Sequence, residues 1–258
     1  MTVGAEKFTC ERVLESWRWS PGLFSLRCTR DPAFRFRAGQ FARLGMRKAD
    51  GEMIWRAYSM VSAPHDDCLE FFSVEVPDGE FSARLARLAV GDELLVERQA
   101  YGFLTLERFG DGRDLWLLAS GTGIGPFLSI LQDPEVWQRF ERVVLAHSVR
   151  SGAELAYREL IGGLYLRPEL AGVADKLTYL PVVTREALPG CLAARLPALL
   201  DSGELERAAG LAIDPEHSRL MLCGNPAMVE ELRERLKLRD LQLSLRSRPG
   251  QLALENYW

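Results

Sequence analysis

The chain has 258 residues, which suits one large domain or two domains of ordinary size. Its hydrophobic content of 47% is typical of a globular protein, and its net charge of −4 argues against bulk affinity for nucleic acid. No apolar run approaches the roughly 20 residues that a membrane-spanning helix needs, and the N-terminus lacks a signal-peptide pattern. The five cysteines include no CxxC pair, which disfavours a metal centre or disulfide framework and indicates a cytoplasmic protein.

The first 108 residues contain short apolar or alternating runs separated by turn residues. These runs cover residues 13–14, 23–26, 40–44, 54–58, 69–74 and 93–96. Strands at this spacing predict an antiparallel barrel. One helix is predicted among them, over residues 81–88, with Phe81, Leu85 and Leu88 on one face.

After Gly110-Asp111-Gly112 the pattern changes to alternating strands and helices. Runs typical of buried strands cover residues 115–119, 143–146, 177–183 and 220–223. Helical stretches follow the first, second and fourth runs, and a stretch at 192–200 follows the third after a Pro-Gly break. This order predicts a parallel, doubly wound sheet. We therefore expect two domains, residues 1–108 and 113–258.

The run Arg56-Ala57-Tyr58-Ser59 ends a predicted strand and carries groups that suit a flavin nucleotide. An arginine fork suits a pyrophosphate, a tyrosine ring can stack on a flat ring, and a serine hydroxyl can hydrogen-bond a ring nitrogen. The alternative is an ordinary strand with a surface arginine and a half-buried tyrosine. A turn at 76–80 opens into the predicted helix, where backbone N–H groups and Ser82 are suited to the same pyrophosphate.

A glycine-rich run, Gly121-Thr122-Gly123-Ile124-Gly125-Pro126, connects the first parallel strand to a helix, as phosphate-binding loops do. Its spacing differs from the G-x-G-x-x-G fingerprint, and a tight strand–helix turn is an alternative interpretation. Arg150 follows the second strand, Thr184-Arg185 follows the third, and Arg195 comes ten residues later. Because parallel strand ends gather at one sheet edge, arginines there without acidic partners suit a ribose 2′-phosphate. Separate surface arginines are the alternative.

Two further segments contain candidate residues. Cys223-Gly224-Asn225-Pro226 ends the last parallel strand, so Cys223 is a candidate for contact with a nicotinamide, although buried cysteines often only fill space. The chain stops on Tyr257-Trp258, and two terminal aromatic rings indicate that they cover a flat group such as a flavin. The three histidines are far apart in sequence and form neither a metal site nor a catalytic triad.

Together these motifs resemble those of the bacterial ferredoxin/flavodoxin–NADP reductases, most closely the subclass whose chains end in Tyr-Trp. The resemblance covers essentially the whole chain. It extends to Ala38-Gly39-Gln40-Phe41, Leu69-Glu70-Phe71, Pro77-Asp78-Gly79, Ser129-Ile130-Leu131-Gln132 and Arg248-Pro249-Gly250. It implies an antiparallel β-barrel that binds FAD, followed by a Rossmann-like α/β domain with a parallel sheet that binds NADP and a C-terminal tail that contacts the flavin.

The same resemblance implies roles for single residues. The FAD-binding residues would be Arg56, Ala57, Tyr58, Ser59, Glu80, Phe81, Ser82, Thr122, Tyr257 and Trp258. The NADP-binding residues would be Gly121, Gly123, Arg150, Thr184, Arg185, Arg195, Cys223 and Gly224. The catalytic residues would be Ser59, Cys223, Glu255 and Tyr257. Tyr58 and Tyr257 would lie on opposite flavin faces, and Glu255 matches a position linked to proton or electron transfer.

The implied reaction is hydride transfer between the C4 atom of NADPH and flavin N5, coupled to one-electron exchange with ferredoxin or flavodoxin. The alternatives are a free-flavin reductase, the reductase component of an oxygenase, and a non-catalytic nucleotide-binding regulator. We expect a monomer with neither a membrane nor a nucleic-acid partner. Residues 228–250 carry six basic and four acidic side chains, which predicts a docking face for acidic carriers or, alternatively, a solvated helix face.

Overall fold

The first sheet belongs to the N-terminal half of the chain. The computed structural model describes residues 7–48, 50–76, 78–172 and 174–256. The strands of this sheet are β1 (Phe8–Ser20), β2 (Leu23–Thr29), β3 (Phe41–Arg47), β4 (Met53–Ser59), β5 (Cys68–Val74) and β6 (Glu93–Tyr101). They pair antiparallel in the order β4-β3-β6-β1-β2-β5. Five of the six predicted runs fall within one of these strands, and the run at 40–44 begins one residue before β3.

The sheet closes on itself just beyond the end of β4. Met60 forms an antiparallel bridge with Phe71 on β5, and the Val61 N–H donates to the Glu70 carbonyl at 2.8 Å. The two edge strands are thereby joined, which removes the open edges of the sheet. The predicted antiparallel barrel is confirmed.

Helix α1 (Glu80–Leu85) lies between β5 and β6 and plugs one side of the barrel. It buries Phe81 and Leu85 in the barrel core with side chains from all six strands. The helix is shorter than the predicted 81–88, because the chain turns at 86–88 and Leu88 is only half-buried. Burial of a large apolar side chain typically contributes about 1.5–3 kcal/mol, so these two residues fix the helix on the barrel.

The second sheet belongs to the C-terminal half. Its strands are β7 (Asp114–Ser120), β8 (Arg142–Val149), β9 (Leu177–Val183), β10 (Ser218–Gly224) and β11 (Leu252–Asn256). They are parallel, in the order β11-β10-β7-β8-β9, as the predicted α/β class requires. Sequence analysis missed β11, which was interpreted as part of a tail. Its register places Glu255 beside Cys223 of β10.

Helices cover both faces of this sheet. They are α2 (Gly125–Leu131), α3 (Pro134–Arg139), α4 (Arg158–Gly162), α5 (Leu196–Asp201), α6 (Glu204–Ala209) and α7 (Pro226–Lys237). On β7, Leu115 and Leu117 pack in one core cluster while Trp116 and Leu118 pack in the other, as alternation along a strand requires. Among the residues described, no helix is long and apolar enough to cross a membrane.

The helix predicted over 192–200 begins four residues late. Leu192 is extended and forms a parallel bridge with Val182, with the Val183 N–H donating to the Leu192 carbonyl at 2.8 Å. Helix α5 therefore starts at Leu196, with Pro197 in its first turn. A pairing with a strand end ten residues earlier overrides the local helical pattern.

A buried polar group joins the barrel to the α/β half. The Tyr157 hydroxyl donates to a Glu70 carboxylate oxygen at 2.7 Å and lies 2.6 Å from the Ser25 hydroxyl. Arg27 donates to the second oxygen of Glu70 at 2.8 Å. Burial and the Glu70 charge raise the pKa of Tyr157 well above its ordinary value, so it remains a donor. Residues 102–113 connect the two sheets in the chain; the predicted limits of the two domains stay a prediction.

Candidate cofactor-binding site

A cavity of about 400 Å³, here the barrel cavity, opens between the ends of β4 and β5 and the start of α1. Every predicted FAD residue that the structure describes lines it. These residues are Arg56, Ala57, Tyr58, Ser59, Glu80, Phe81, Ser82 and Thr122. Tyr257 and Trp258, the other two, lie outside the described residues. Residues separated by more than 60 positions in the chain therefore meet in one concave surface.

The walls of the barrel cavity combine rings, hydroxyls and one guanidinium. The Tyr58 ring lies 5.7 Å from the Phe81 ring, and burial raises the pKa of the Tyr58 hydroxyl. Ser59 is buried, whereas Arg56 is exposed and donates to the Trp55 carbonyl at 2.8 Å. The Ser82 oxygen accepts the Val76 N–H at 3.0 Å, which fixes the turn into α1 and leaves the hydroxyl hydrogen to donate.

Sequence analysis missed other residues of this wall. Phe72, Ser73 and Val74 come from β5, and Asn256 comes from β11. The β5 residues follow from barrel closure, which brings β5 beside the end of β4. The local pattern of β5 predicts a strand but contains no signal of this neighbour.

A second cavity of about 640 Å³, here the sheet-edge cavity, lies at the carboxyl ends of β7, β8, β9 and β10. Four residues predicted for the 2′-phosphate line it together: Arg150, Thr184, Arg185 and Arg195. Gly121 and Thr122 also line it, and Thr184 is fixed by a hydrogen bond from its hydroxyl to the Val149 carbonyl at 3.0 Å. The structure thus places the predicted arginines around one space.

The expectation that these arginines lack acidic partners is wrong for Arg195. Its guanidinium donates to the Glu231 carboxylate at 2.7 Å, because α7 packs beside α5. Glu154 also lines the cavity, where its carboxylate accepts the Arg150 N–H at 3.1 Å. Within the described part of the chain, no ion pair involves the guanidinium of Arg150 or of Arg185.

The turn between β1 and β2 forms the opposite wall of the sheet-edge cavity. It contributes Ser20, Pro21, Gly22 and Leu23, all from the barrel. Sequence analysis missed these residues, together with Ser148, Asn225 and Met228. The barrel wall depends on how the two halves pack, so no local signal marks it.

The two cavities meet at the central loop, residues 120–124. Thr122 and Val74 line both cavities. Gly224 adopts a φ of +131°, and a Cβ on it would lie well inside contact distance of the Ser120 hydroxyl, so glycine is required there. The Asn225 side chain then caps α7 by accepting the Ala227 N–H at 3.0 Å.

Gly123, Cys223 and Gly224, three residues predicted for NADP, lie behind the cavity walls. A Cβ on Gly123 would lie 2.5 Å from the Cys223 carbonyl oxygen, so the central loop packs directly on the end of β10. Cys223 is fully buried in the core and lines neither cavity. The structure therefore gives Cys223 and the two glycines a packing role, and their contact with a nicotinamide stays a prediction.

Glu255 connects the end of β11 to the barrel. Its carboxylate accepts the Phe103 N–H at 2.6 Å, and a Cβ on Gly102 would lie 2.8 Å from the same oxygen. Burial raises the pKa of Glu255 to about 7, against the opposing effect of the Phe103 and Leu104 N–H groups. The carboxyl is outside the walls of both cavities, but the adjacent Asn256 lines the barrel cavity.

The basic excess predicted over residues 228–250 is partly neutralised by ion pairs. Arg233 pairs with Glu230, Arg235 with Asp201, and Arg239 with Glu206. Two of these acids, Asp201 and Glu206, lie outside the 228–250 window that was counted in sequence. The exposed cations left on this segment are Lys237, Arg246 and Arg248.

Two family models match the chain. Residues 16–99 match the oxidoreductase FAD-binding domain, and residues 117–234 match the oxidoreductase NAD-binding domain. The barrel cavity and the sheet-edge cavity draw most of their walls from these two segments, respectively.

Full-length relatives match as well. Ferredoxin–NADP reductase A of Sorangium cellulosum is 44% identical over 251 residues, covering 96% of this chain and 89% of the relative. The flavodoxin/ferredoxin–NADP reductase of Shigella flexneri is 46% identical, covering 96% of this chain and 97% of the relative. A ferredoxin NADP⁺ reductase from Neisseria gonorrhoeae, solved with bound FAD and NADP, has a TM-score of 0.91 at 41% identity and covers 98% and 99% of the two chains. The chain belongs to the ferredoxin–NADP reductase family.

Proposed function

We propose that this protein is an FAD-dependent ferredoxin/flavodoxin–NADP⁺ reductase. Its reaction is hydride transfer between the nicotinamide of NADPH and a flavin, coupled to exchange of single electrons with ferredoxin or flavodoxin. The observation that carries the proposal is the shared wall of the two cavities at Val74 and Thr122. Groups bound in the two cavities would meet there, and hydride transfer requires such proximity.

The barrel cavity fits a flavin nucleotide. The Tyr58 ring offers a flat apolar face, the Ser59 hydroxyl offers a polar contact at the cavity base, and the Arg56 guanidinium suits a pyrophosphate. When bound, FAD supplies the capacity to take up two electrons as hydride and to release them one at a time. The protein holds and orients this group, and buried wall residues such as Ser59, Phe81 and Ser82 shield one side of it from water.

The sheet-edge cavity fits NADP(H). Arg150 and Arg185 are exposed cations at adjacent strand ends, where a 2′-phosphate would gain charge-assisted hydrogen bonds. Thr184, next to Arg185 in the chain, lines the same cavity. We therefore assign these three residues to the 2′-phosphate, with Arg195 as a fourth contact that must first give up part of its pairing with Glu231.

Glu255 is suited to hold or release a proton near the barrel cavity. Its raised pKa of about 7 makes both protonation states accessible near neutral pH. Its hydrogen bond with the Phe103 N–H fixes the carboxyl between the two halves of the protein. Ser59, Cys223 and Tyr257 remain the other proposed catalytic residues, and Tyr257 lies outside the described residues.

The names of the relatives support ferredoxin or flavodoxin as the electron carrier. The test begins with the purified protein, which should be yellow and should retain FAD through gel filtration. Anaerobic NADPH should bleach the flavin, and the reduced protein should then reduce ferredoxin and flavodoxin in a carrier panel. A protein that loses its flavin on the column and reduces only free flavin would refute the proposal in favour of a free-flavin reductase.

A further inference from the structure

His147 is a buried histidine at the end of β8, directly behind the central loop. Its side chain is fully excluded from solvent, and the strand registers place it between Ala119 of β7 and Pro181 of β9. Its Nε2 atom lies 2.9 Å from the carbonyl oxygen of Gly121. His147 lines neither cavity, whereas Gly121 lines the sheet-edge cavity.

The partner of Nε2 fixes the tautomer of the ring. A carbonyl oxygen only accepts, so Nε2 carries the hydrogen. Burial lowers the pKa of His147 to about 4, which leaves the ring neutral near pH 7 and Nδ1 without a hydrogen. Nδ1 is buried and has no hydrogen-bond partner among the described residues. The unpaired Nδ1 atom costs free energy that an apolar side chain at this position would avoid. The hydrogen bond from Nε2 to Gly121 offsets that cost.

The bond to Gly121 sets the direction of a peptide group at the cavity. A trans peptide is planar, so the Gly121 carbonyl and the Thr122 N–H point in opposite directions. His147 holds the carbonyl toward the interior, which directs the Thr122 N–H away from His147, and both residues of this peptide line the sheet-edge cavity. Gly121 adopts a φ of +53°, a conformation in which a flexible glycine benefits from such a restraint.

The other contacts of the central loop hold its two ends. The Asn225 N–H donates to the Ser120 hydroxyl at 2.9 Å, and Gly123 packs on the Cys223 carbonyl. Between these ends Gly121–Ile124 form a 3₁₀ turn, and His147 adds a side-chain hydrogen bond to its first carbonyl. We propose that His147 is a positioning residue that aims the Gly121–Thr122 peptide at the nucleotide, at the point where the two cavities meet. This inference rests on the proposed function.

The test compares three variants of the flavin-loaded enzyme. His147→Leu removes the donor and fills the core, His147→Gln keeps an N–H donor near the Nε2 position, and Val144→Ala removes buried volume elsewhere on β8. The measurements are the Kd of NADP⁺ from the flavin difference spectrum, the steady-state KM and kcat with NADPH, and the midpoint of urea unfolding. We expect His147→Leu to weaken NADP⁺ binding about 2- to 12-fold, the range that one hydrogen bond spans.

The Kd of NADP⁺ for His147→Gln should stay within about twofold of the wild-type value, because the glutamine N–H keeps the hydrogen bond that the leucine variant loses. Val144→Ala should lower the unfolding midpoint without changing nucleotide binding. If His147→Leu binds NADP⁺ as the wild type does and only loses stability, as Val144→Ala does, then His147 merely fills the core and the inference is overturned.

A fourth variant covers the case in which the leucine protein does not fold. His147→Asn places its amide near the Nδ1 position, whereas His147→Gln places it near Nε2, so only the glutamine should rescue nucleotide binding. Equal binding by the two amide variants would also overturn the inference. A wild-type protein whose flavin is not reduced by NADPH would instead refute the proposed function, so the two failures are distinct.

Discussion

The barrel cavity and the sheet-edge cavity share a wall but differ in how their surfaces are built. The barrel cavity has buried residues in its wall, among them Ser59, Phe81 and Ser82. The sheet-edge cavity presents exposed guanidinium groups, among them Arg150 and Arg185. Buried contacts suit a group that stays bound, and several exposed charges suit one that must enter and leave. We therefore expect the barrel side to respond to pH and burial, and the sheet-edge side to respond to charge and salt.

The largest effect that we expect lies beside the barrel cavity. The pKa of Glu255 is raised from 4.5 to about 7, so the folded state binds this proton more tightly than the unfolded chain does. Stability should therefore fall as pH rises from 4.5 to about 7, by roughly 3 kcal/mol, and level off above that. Glu255→Gln is neutral at every pH and should lose this slope.

Urea unfolding of the flavin-loaded protein at pH 5 and pH 8 measures the effect. Glu204→Gln, which removes an exposed carboxylate from α6, serves as the control and should retain the wild-type slope. If Glu255→Gln keeps that slope too, Glu255 is ionised in the folded protein and the barrel side has no special response to pH.

On the sheet-edge side, Arg185→Ala should weaken NADPH binding with little effect on NADH. Loss of a charge-assisted hydrogen bond costs about 1.5–3 kcal/mol, which is roughly tenfold or more in affinity. The KM values for NADPH and NADH measure the difference, and the NADPH effect should shrink as salt rises because the site is exposed.

Arg158→Ala, an exposed arginine outside the cavity wall, is the matched control. An equal rise in KM for the two nucleotides would remove Arg185 from the 2′-phosphate. Such a result would also contradict the proposed difference between the two cavities, because the exposed charges of the sheet-edge cavity would then have no ligand-specific role.

Much of this architecture follows from local sequence pattern. The barrel strands come from apolar or alternating runs bounded by turn residues, and the parallel strands come from apolar runs such as 115–119 that alternate with helical stretches. The cavity wall at Arg150 and Arg185 follows from the rule that ligands bind at the carboxyl ends of parallel strands, and the wall at Arg56–Ser59 follows from the chemistry of its side chains. Each of these inferences needs only a short window of sequence.

What was missed depends on contacts between distant segments. The pairing of Arg195 with Glu231 joins residues 36 positions apart, on two helices whose packing no local pattern specifies. Strand β11 is a five-residue edge strand, and its pairing with β10 is what defines it. The Tyr157–Glu70 bond likewise crosses 87 positions to join the two halves. Such long-range contacts are set by the packed fold.

The next largest effect concerns the buried polar contact that joins the barrel to the α/β half. Tyr157→Phe removes the hydroxyl that donates to Glu70 and contacts Ser25. One buried Glu70 oxygen loses this donor, while Arg27 still donates to the other oxygen and Trp19 still donates to Ser25. We expect the free energy of unfolding to fall by about 1–3 kcal/mol. Tyr165→Phe, the same change at a tyrosine that is 49% exposed, is the control. If urea unfolding shows the same loss of unfolding free energy for Tyr157→Phe and Tyr165→Phe, the Tyr157 hydroxyl does not help to hold the two halves together.

The smallest effect concerns Arg195, an arginine of the sheet-edge cavity wall that pairs with a carboxylate. Glu231 holds the Arg195 guanidinium at 2.7 Å, and a 2′-phosphate must compete with it. Glu231→Gln weakens that competition, so the KM for NADPH should fall. Exposed ion pairs contribute only about 0.2–1 kcal/mol, which sets the expected gain at no more than about fivefold at low salt. The KM for NADH should not change.

Glu234→Gln is the control. Glu234 lies one turn along α7 and pairs with Arg233 at 3.9 Å, so this variant removes the same charge away from Arg195 and should not change the KM for either nucleotide. A rise in the NADPH KM of Glu231→Gln would show the opposite role, in which Glu231 positions Arg195 for the phosphate.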